Sequence, residues 1–302
     1  MGTVVRQKVY GIVGQHCAEL AAQEIARLEA IWTVFSPDSE ICGLAANAGQ
    51  QAAEVAPDTV EILLRAIELH ALTRGALDIT AGSLVHLWRL AAERSMLPTR
   101  AELAAARALV DITGIEVNEL RRVRLRLRGQ QLNLGAIGKG YAADRCIDLY
   151  RSRGARHAMI DLGGNVAVLG VKPDGSAWRV GVQDPSGKRG QYVGHVDVAD
   201  CSVVTSGSYE RVFELGGRRY SHIIDPRSGL PVDNDILSVT VVHASSLLAD
   251  ALATACMVLG SQAGLSLAND LVADVMLICT HGRLFTPGMA RLFRPRTCPV
   301  AG

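Results

Sequence analysis

The sequence has almost no excess charge of either sign: 31 basic and 30 acidic residues leave a formal net charge of +1. A surface so balanced offers no electrostatic pull toward nucleic acid or an anionic membrane. It has no run of about 18 consecutive apolar residues, which argues against a membrane-spanning helix. The N-terminus lacks a basic segment followed by an apolar one, so the chain as written reads as cytoplasmic. A periplasmic protein trimmed of its leader would begin the same way. No C-x-x-C pair is present: Cys17, Cys42, Cys146, Cys201, Cys256, Cys279 and Cys298 are odd in number and scattered. That pattern speaks for buried thiols in a reducing compartment rather than for a zinc or redox motif.

Internal repeats, low-complexity stretches and Pro/Ser-rich linkers are also missing, so nothing marks a domain boundary. One domain over residues 1–302, or two intimately fused lobes within it, is expected. The material for a core is ample, with 49% hydrophobic residues and 30 glycines that break the chain into many turns.

Residues 1–13 alternate loosely and read as a first strand. A helix follows, with Leu28, Ile31, Trp32 and Phe35 at i, i+3, i+4, i+7, ending at Ser36-Pro37-Asp38-Ser39. Pro57 stands at the start of a second helix, whose expected face is Val60, Leu63, Leu64, Ile67 and Ala71, with Gly75 as its stop. Thr99 and Glu102 form a capping box for a third, with Leu103, Ala106 and Val110 on its apolar side. Arg121, Arg122, Arg124, Arg126 and Arg128 interleave with Val123, Leu125 and Leu127. This alternation predicts an edge strand with one solvated, basic face, or a docking surface for an acidic partner. Beyond Gly154, strands are expected over 157–161, 178–183, 192–205 and 236–243. A helix is then expected from Ser246 to Leu259 and a strand from Val275 to Cys279.

Several constellations have chemical content. Gly135-Ala136-Ile137-Gly138-Lys139-Gly140 would let backbone N–H groups approach an anion, but its spacing is not that of a phosphate-binding P-loop. A purely structural glycine turn before the helix carrying Tyr141 is the other reading. No G-x-G-x-x-G follows a strand, and no G-x-S-x-G marks a nucleophilic serine. Asp250 and Thr254 are one turn apart on one helical face and suit a hard cation. Their alternative use is internal hydrogen bonding, with Thr254 bonded to its own i−4 carbonyl. His222 sits in Ser221-His222-Ile223-Ile224-Asp225-Pro226, where a strand meets a turn that would fix an imidazole.

In order, Met1-Gly2-Thr3, Ser36 to Glu40, Gly75 to Thr80 with Trp88, Leu134 to Asp144, Asp161 to Asn165, Thr205-Ser206-Gly207, His222 to Gly229 with Pro231, and Asp250 with Thr254 resemble the ApbE family, the FAD:protein FMN transferases. The resemblance runs nearly end to end. It implies an α+β fold of mixed sheets with packed helices, T-fold-like and two-lobed. It also implies FAD as substrate, Mg²⁺ as cofactor, and an acceptor flavoprotein with a Ser/Thr-containing motif as partner. By the resemblance Met1, Phe35, Ala76, Leu77, Asp78, Asn133, Lys139 and Ile223 contact FAD, and the Ala136 carbonyl, Asp250 and Thr254 hold the metal. Phe35 replaces a frequent tyrosine, Asn133 a frequent aspartate, and Ala253 an aspartate found in some members.

The chemistry implied is attack by an acceptor hydroxyl on the FMN-side phosphorus with departure of AMP. His222 is the candidate base and Asp225 the residue that orients it. Water in place of the acceptor would make a FAD pyrophosphatase giving FMN and AMP. A non-catalytic flavin carrier is the third reading, and it leaves the metal residues without a use.

Overall fold

The computed structural model describes residues 3–209, 212–215 and 217–296. Strand β1 (Val5–Val9) leads into the long helix α1 (Gly14–Trp32) and the short helix α2 (Glu40–Ala46). Next come β2 (Ala53–Glu54) and helices α3 (Pro57–Leu72), α4 (Gly82–Arg94) and α5 (Arg100–Arg107). Strands β3 (Ile115–Val117) and β4 (Arg122–Leu125) precede α6 (Gly138–Ser152). The following stretch is strand-rich: β5 (Ala158–Leu162), β6 (Asn165–Leu169), β7 (Trp178–Gln183), β8 (Tyr192–Val198) and β9 (Ser202–Gly207). After it stand the hairpin β10 (Val212–Leu215) and β11 (Arg218–Ser221), then β12 (Ile236–His243). The described chain closes with α7 (Ser246–Leu259), α8 (Ser261–Asp270), β13 (Asp274–Cys279), β14 (Gly282–Phe285), α9 (Pro287–Leu292) and β15 (Phe293–Pro295).

This is an α+β fold built on a seven-stranded sheet of order β1-β5-β6-β9-β12-β13-β14, whose neighbours pair antiparallel. Both faces of its centre are covered, which explains why β13 is apolar from Val275 to Cys279. Val275, Leu277 and Cys279 pack with Leu252, Cys256 and Leu267 of α7 and α8. The alternate residues Met276 and Ile278 point to the opposite face, where Val180 and Val196 of the smaller β15-β8-β7 sheet meet them. The helical face holds α6 and α7, and these two helices carry the chemistry described below.

Several sequence expectations hold and others shift. The capping box at Thr99 is present, with Thr99 Oγ1 accepting the Glu102 N–H and the Glu102 carboxylate accepting the Thr99 N–H. Helix α1 stops at Trp32, three residues short of Phe35, and buries Cys17, Ala21, Ile25, Leu28 and Trp32. In α3 the buried face is Thr59, Ile62, Leu63, Ala66 and Leu69, while Leu64 is 46% exposed. The helix turns this way because Thr59 accepts the Trp32 indole N–H and donates to Glu40, which draws a polar position inward. Residues 192–205 form two strands, broken where Asp200 takes a positive φ of 47°.

Strand β4 is not an edge strand: it lies between β2 and β3. The arginines in and beside it are engaged within the protein: Arg121 lies near Glu54, Arg124 near Glu116 and Arg126 on Asp111 at 2.6 Å, while Arg122 donates to the Ala52 carbonyl. Val123 and Leu125 point into the core. The described cysteines are free thiols, buried at Cys17, Cys146, Cys256 and Cys279 and half-buried at Cys42 and Cys201. Among the described residues no helix is long and apolar enough to cross a membrane.

Candidate active site

Helices α6 and α7 touch backbone to backbone, and a glycine makes this possible. A Cβ on Gly140 would lie 2.5 Å from the Ser246 carbonyl oxygen and 2.7 Å from Leu247 Cα, so no side chain fits there. One turn further along α6, Asp144 reaches the start of α7. Its carboxylate accepts the N–H groups of Ser246 and Leu247 at 2.7 and 3.0 Å and the Ser245 hydroxyl at 3.0 Å. These N–H groups have no partner within their own helix, so Asp144 satisfies them and sets α7 against α6. Burial pushes the Asp144 pKa up, against the pull of those donors.

That contact places Asp250, which is 1% exposed. Its Oδ2 accepts the Gly140 N–H at 2.9 Å, and Lys139 Nζ lies 3.2 and 3.3 Å from its two oxygens. Burial raises the Asp250 pKa, opposed by the Lys139 charge and the Gly140 N–H. A second cation at this carboxylate would favour its ionised form. Because the Gly140 N–H is turned to Asp250, the Ala136 carbonyl, its ordinary i−4 acceptor, has no hydrogen-bond partner among the described residues. Thr254 is half-buried one turn beyond Asp250, and its hydroxyl likewise has no partner among the described residues. The back-bonded use of Thr254 is therefore not made. A carboxylate, a hydroxyl and a backbone carbonyl are an oxygen donor set that suits Mg²⁺, which takes its remaining ligands from water and phosphate.

The loop after α3 abuts this centre through Asn133. The Asn133 N–H donates to the Ile79 carbonyl at 2.7 Å, and its side-chain oxygen accepts the Gly135 N–H at 2.8 Å, joining residues 76–80 to the turn before α6. Ala76 and Leu77 are buried. The Asp78 side chain is engaged within the protein: Oδ1 accepts the Thr80 N–H at 2.8 Å and the Thr80 hydroxyl at 2.5 Å, while Oδ2 lies 3.3 Å from His70 Nδ1. The hydrogen bond to Asp78 raises the His70 pKa above its ordinary 6.5, against the effect of burial.

The run after β11 reaches the same place from the other side. Ile223 belongs to one apolar cluster with Ala76 and with Ala249 and Ala253 of α7, whereas Ile224 faces Leu84 and Trp88 of α4. Ala253, the position of the additional aspartate in some family members, is fully buried in that cluster. His222 is half-buried. The Asp225 carboxylate is held by Arg227 in a fork, Nε and Nη2 donating at 2.9 and 3.0 Å, a partner that sequence spacing alone does not single out. The turn is closed by Gly229 N–H to the Asp225 carbonyl, and the Trp88 indole N–H donates to the Gly229 carbonyl at 2.9 Å. A cavity of about 330 Å³, lined in part by Trp88, Tyr220 and Pro231, adjoins it.

Phe35 stands on the loop between α1 and α2, 77% exposed, with the Arg89 guanidinium carbon 5.3 Å from its ring centroid. It is brought to α4 rather than into the Asp250 group. Met1 lies outside the described residues. Asp144 and Asn165 are the residues whose roles sequence spacing did not assign. Asn165 accepts the Ser246 hydroxyl at 2.6 Å, and its amide lies beside the Asp250 carboxylate. Asp144 is four residues after Gly140, so a shared helical face was the available signal.

The sequence model of the ApbE family matches residues 1–277. A curated FAD:protein FMN transferase of Vibrio cholerae is 34% identical, over 87% of this chain and 79% of its own length. The crystal structure of the ApbE protein of Thermotoga maritima superposes with a TM-score of 0.89 at 28% identity, covering 97% of this chain and 96% of its own. The flavin transferase ApbE from Vibrio cholerae gives 0.85 at 28% identity, with the same coverage of both chains. With these matches spanning the helices and strands that assemble the Asp250 centre, the chain belongs to the ApbE family.

Proposed function

We propose that this chain is a Mg²⁺-dependent FAD:protein FMN transferase. It cuts the pyrophosphate of FAD and passes the FMN half to a Ser or Thr hydroxyl of an acceptor flavoprotein, releasing AMP. The observation that carries the reading is the buried Asp250 carboxylate held against Gly140 and Lys139 where α7 meets α6, with the Thr254 hydroxyl one helical turn further on and the Ala136 carbonyl, on the turn before α6, without a partner among the described residues. The names of the Vibrio cholerae and Treponema pallidum relatives support the same activity.

Bound at these oxygens, Mg²⁺ supplies positive charge against the diphosphate. Lys139, anchored beside Asp250, adds a second positive charge at the mouth of the turn. The acceptor oxygen forms a bond to the FMN-side phosphorus, the bond to the AMP oxygen breaks, and AMP leaves with that electron pair. The imidazole of His222 takes the proton from the acceptor hydroxyl. Asp225, locked to Arg227, fixes the turn that follows His222. Phe35 presents an exposed ring on which the isoalloxazine can stack.

The test is incubation with FAD and an acceptor polypeptide, with and without Mg²⁺. Flavin fluorescence that stays with the acceptor through denaturation supports transfer. Free FMN and AMP with an unlabelled acceptor would instead make the protein a pyrophosphatase, and no cleavage at all would make it a carrier.

A further inference from the structure

Asp235, Cys279 and His281 come together at one end of β12 and β13 in the seven-stranded sheet. Asp235 immediately precedes β12, Cys279 is the last residue of β13, and His281 lies in the two-residue turn before β14. One ligand atom from each of the three side chains lies within 4.8 Å of the other two. The backbone beneath them is held firmly. Ile236 pairs with Cys279 in the ladder, the Thr280 N–H donates to the Asp235 carbonyl at 2.9 Å, and Asp235 Oδ1 accepts the Ser261 N–H at 3.3 Å. Asp235 Oδ2 and His281 Nδ1 are 3.6 Å apart, too far for a hydrogen bond yet close to the separation of two ligands on one tetrahedral ion.

We propose that Asp235, Cys279 and His281 bind a divalent cation of the zinc class. A thiolate, an imidazole and a carboxylate form a borderline-soft donor set that selects Zn²⁺ or Co²⁺ over Mg²⁺ and Ca²⁺. Cys279 is 4% exposed, whereas the His281 side chain is 57% exposed, so a fourth position faces solvent and takes water. Binding displaces the thiol proton to solvent. The ion would clip the β13–β14 turn to the starts of β12 and α8. Ser261 opens α8 just beyond the end of α7 at Leu259, and Asp250 lies nine residues before that end, roughly 14 Å along the helix at its usual rise. The two cation sites are thus separate in space and opposite in preference.

The experiment is a Co²⁺ titration of the reduced, metal-free full chain in excess Mg²⁺. Expected is a thiolate-to-cobalt charge-transfer band with tetrahedral ligand-field absorption, saturating at one equivalent and removed by Zn²⁺. Cys279→Ser should lose the charge-transfer band. His281→Ala alters an exposed turn position and leaves the core untouched, and it should weaken Co²⁺ binding at least about tenfold. No such band in the wild-type protein, or the same band in Cys279→Ser, would overturn the proposal. Unchanged Co²⁺ affinity in His281→Ala would do the same.

Discussion

The Gly140 N–H donates to Asp250 Oδ2 at 2.9 Å across the contact of α6 and α7. This bond turns a helix-start N–H toward a buried carboxylate and leaves the Ala136 carbonyl without a partner among the described residues. The same small residue therefore sets the helix spacing and the donor set.

Gly140→Ala should damage both. The added methyl meets backbone atoms of Ser246 and Leu247, which cannot swing aside. Overpacking of this kind costs about 1–3 kcal/mol, read as a lower urea midpoint. Mg²⁺ should also be required at higher concentration for flavin transfer.

Asp250→Asn retains an oxygen for the Gly140 N–H but removes the charge. FAD cleavage should fall by about two orders of magnitude or more, on the scale of the several kcal/mol a metal ion gives to a charged transition state. Chelation of Mg²⁺ from the wild type should produce a comparable loss, restored by adding it back. Cleavage rates across a Mg²⁺ series decide this, and full activity of the variant would refute the assignment.

The His70–Asp78 pair predicts a pH dependence of stability. Folding raises the His70 pKa above 6.5, so the protonated ring is favoured in the folded state. The contribution is complete below the unfolded value and is lost as pH rises through the folded one. Between about pH 6 and pH 8 the urea midpoint should drop further in the wild type than in His70→Gln. Equal slopes for the two proteins would remove His70 from the account.

Phe35 gives a different signature. Its ring is exposed, so Phe35→Ala should leave thermal stability close to wild type. Loss of stacking is worth about 0.5–1.5 kcal/mol, a few-fold to tenfold weaker FAD binding by fluorescence quenching. Phe35→Tyr adds a hydroxyl at the ring edge and should shift the ratio of labelled acceptor to free FMN.

What was legible in the sequence was mostly local. The i, i+4 spacing of Asp250 and Thr254 placed both on one face of a helix whose bounds, Ser246–Leu259, matched the expected ones. The cap at Thr99 and the strands at 178–183 and 236–243 were equally readable from neighbouring residues. Features resting on distant partners were not. Asp144 acts on residues about a hundred positions away, and β4 is central only because β2, far upstream, pairs with it. The face of α3 is rotated from the expected one: Leu63 is buried and Val60 and Ile67 pack half-buried on the core, but Leu64 and Ala71 are exposed and Thr59, polar by type, is held inside by Trp32 and Glu40. Arg227, two residues from Asp225, was close in sequence, but spacing alone does not decide which neighbour a carboxylate takes.

The Gly140–Asp250 bond joins residues 110 positions apart. During synthesis, a nascent chain that has already completed α6 still lacks the carboxylate and hydroxyl of α7, and most of the strands between must emerge first. Contacts of such long sequence separation form late and slowly. The buried contact of Asp250 with α6 is thus among the last parts of the growing polypeptide to assemble, and every segment between the two helices must be made before it can close.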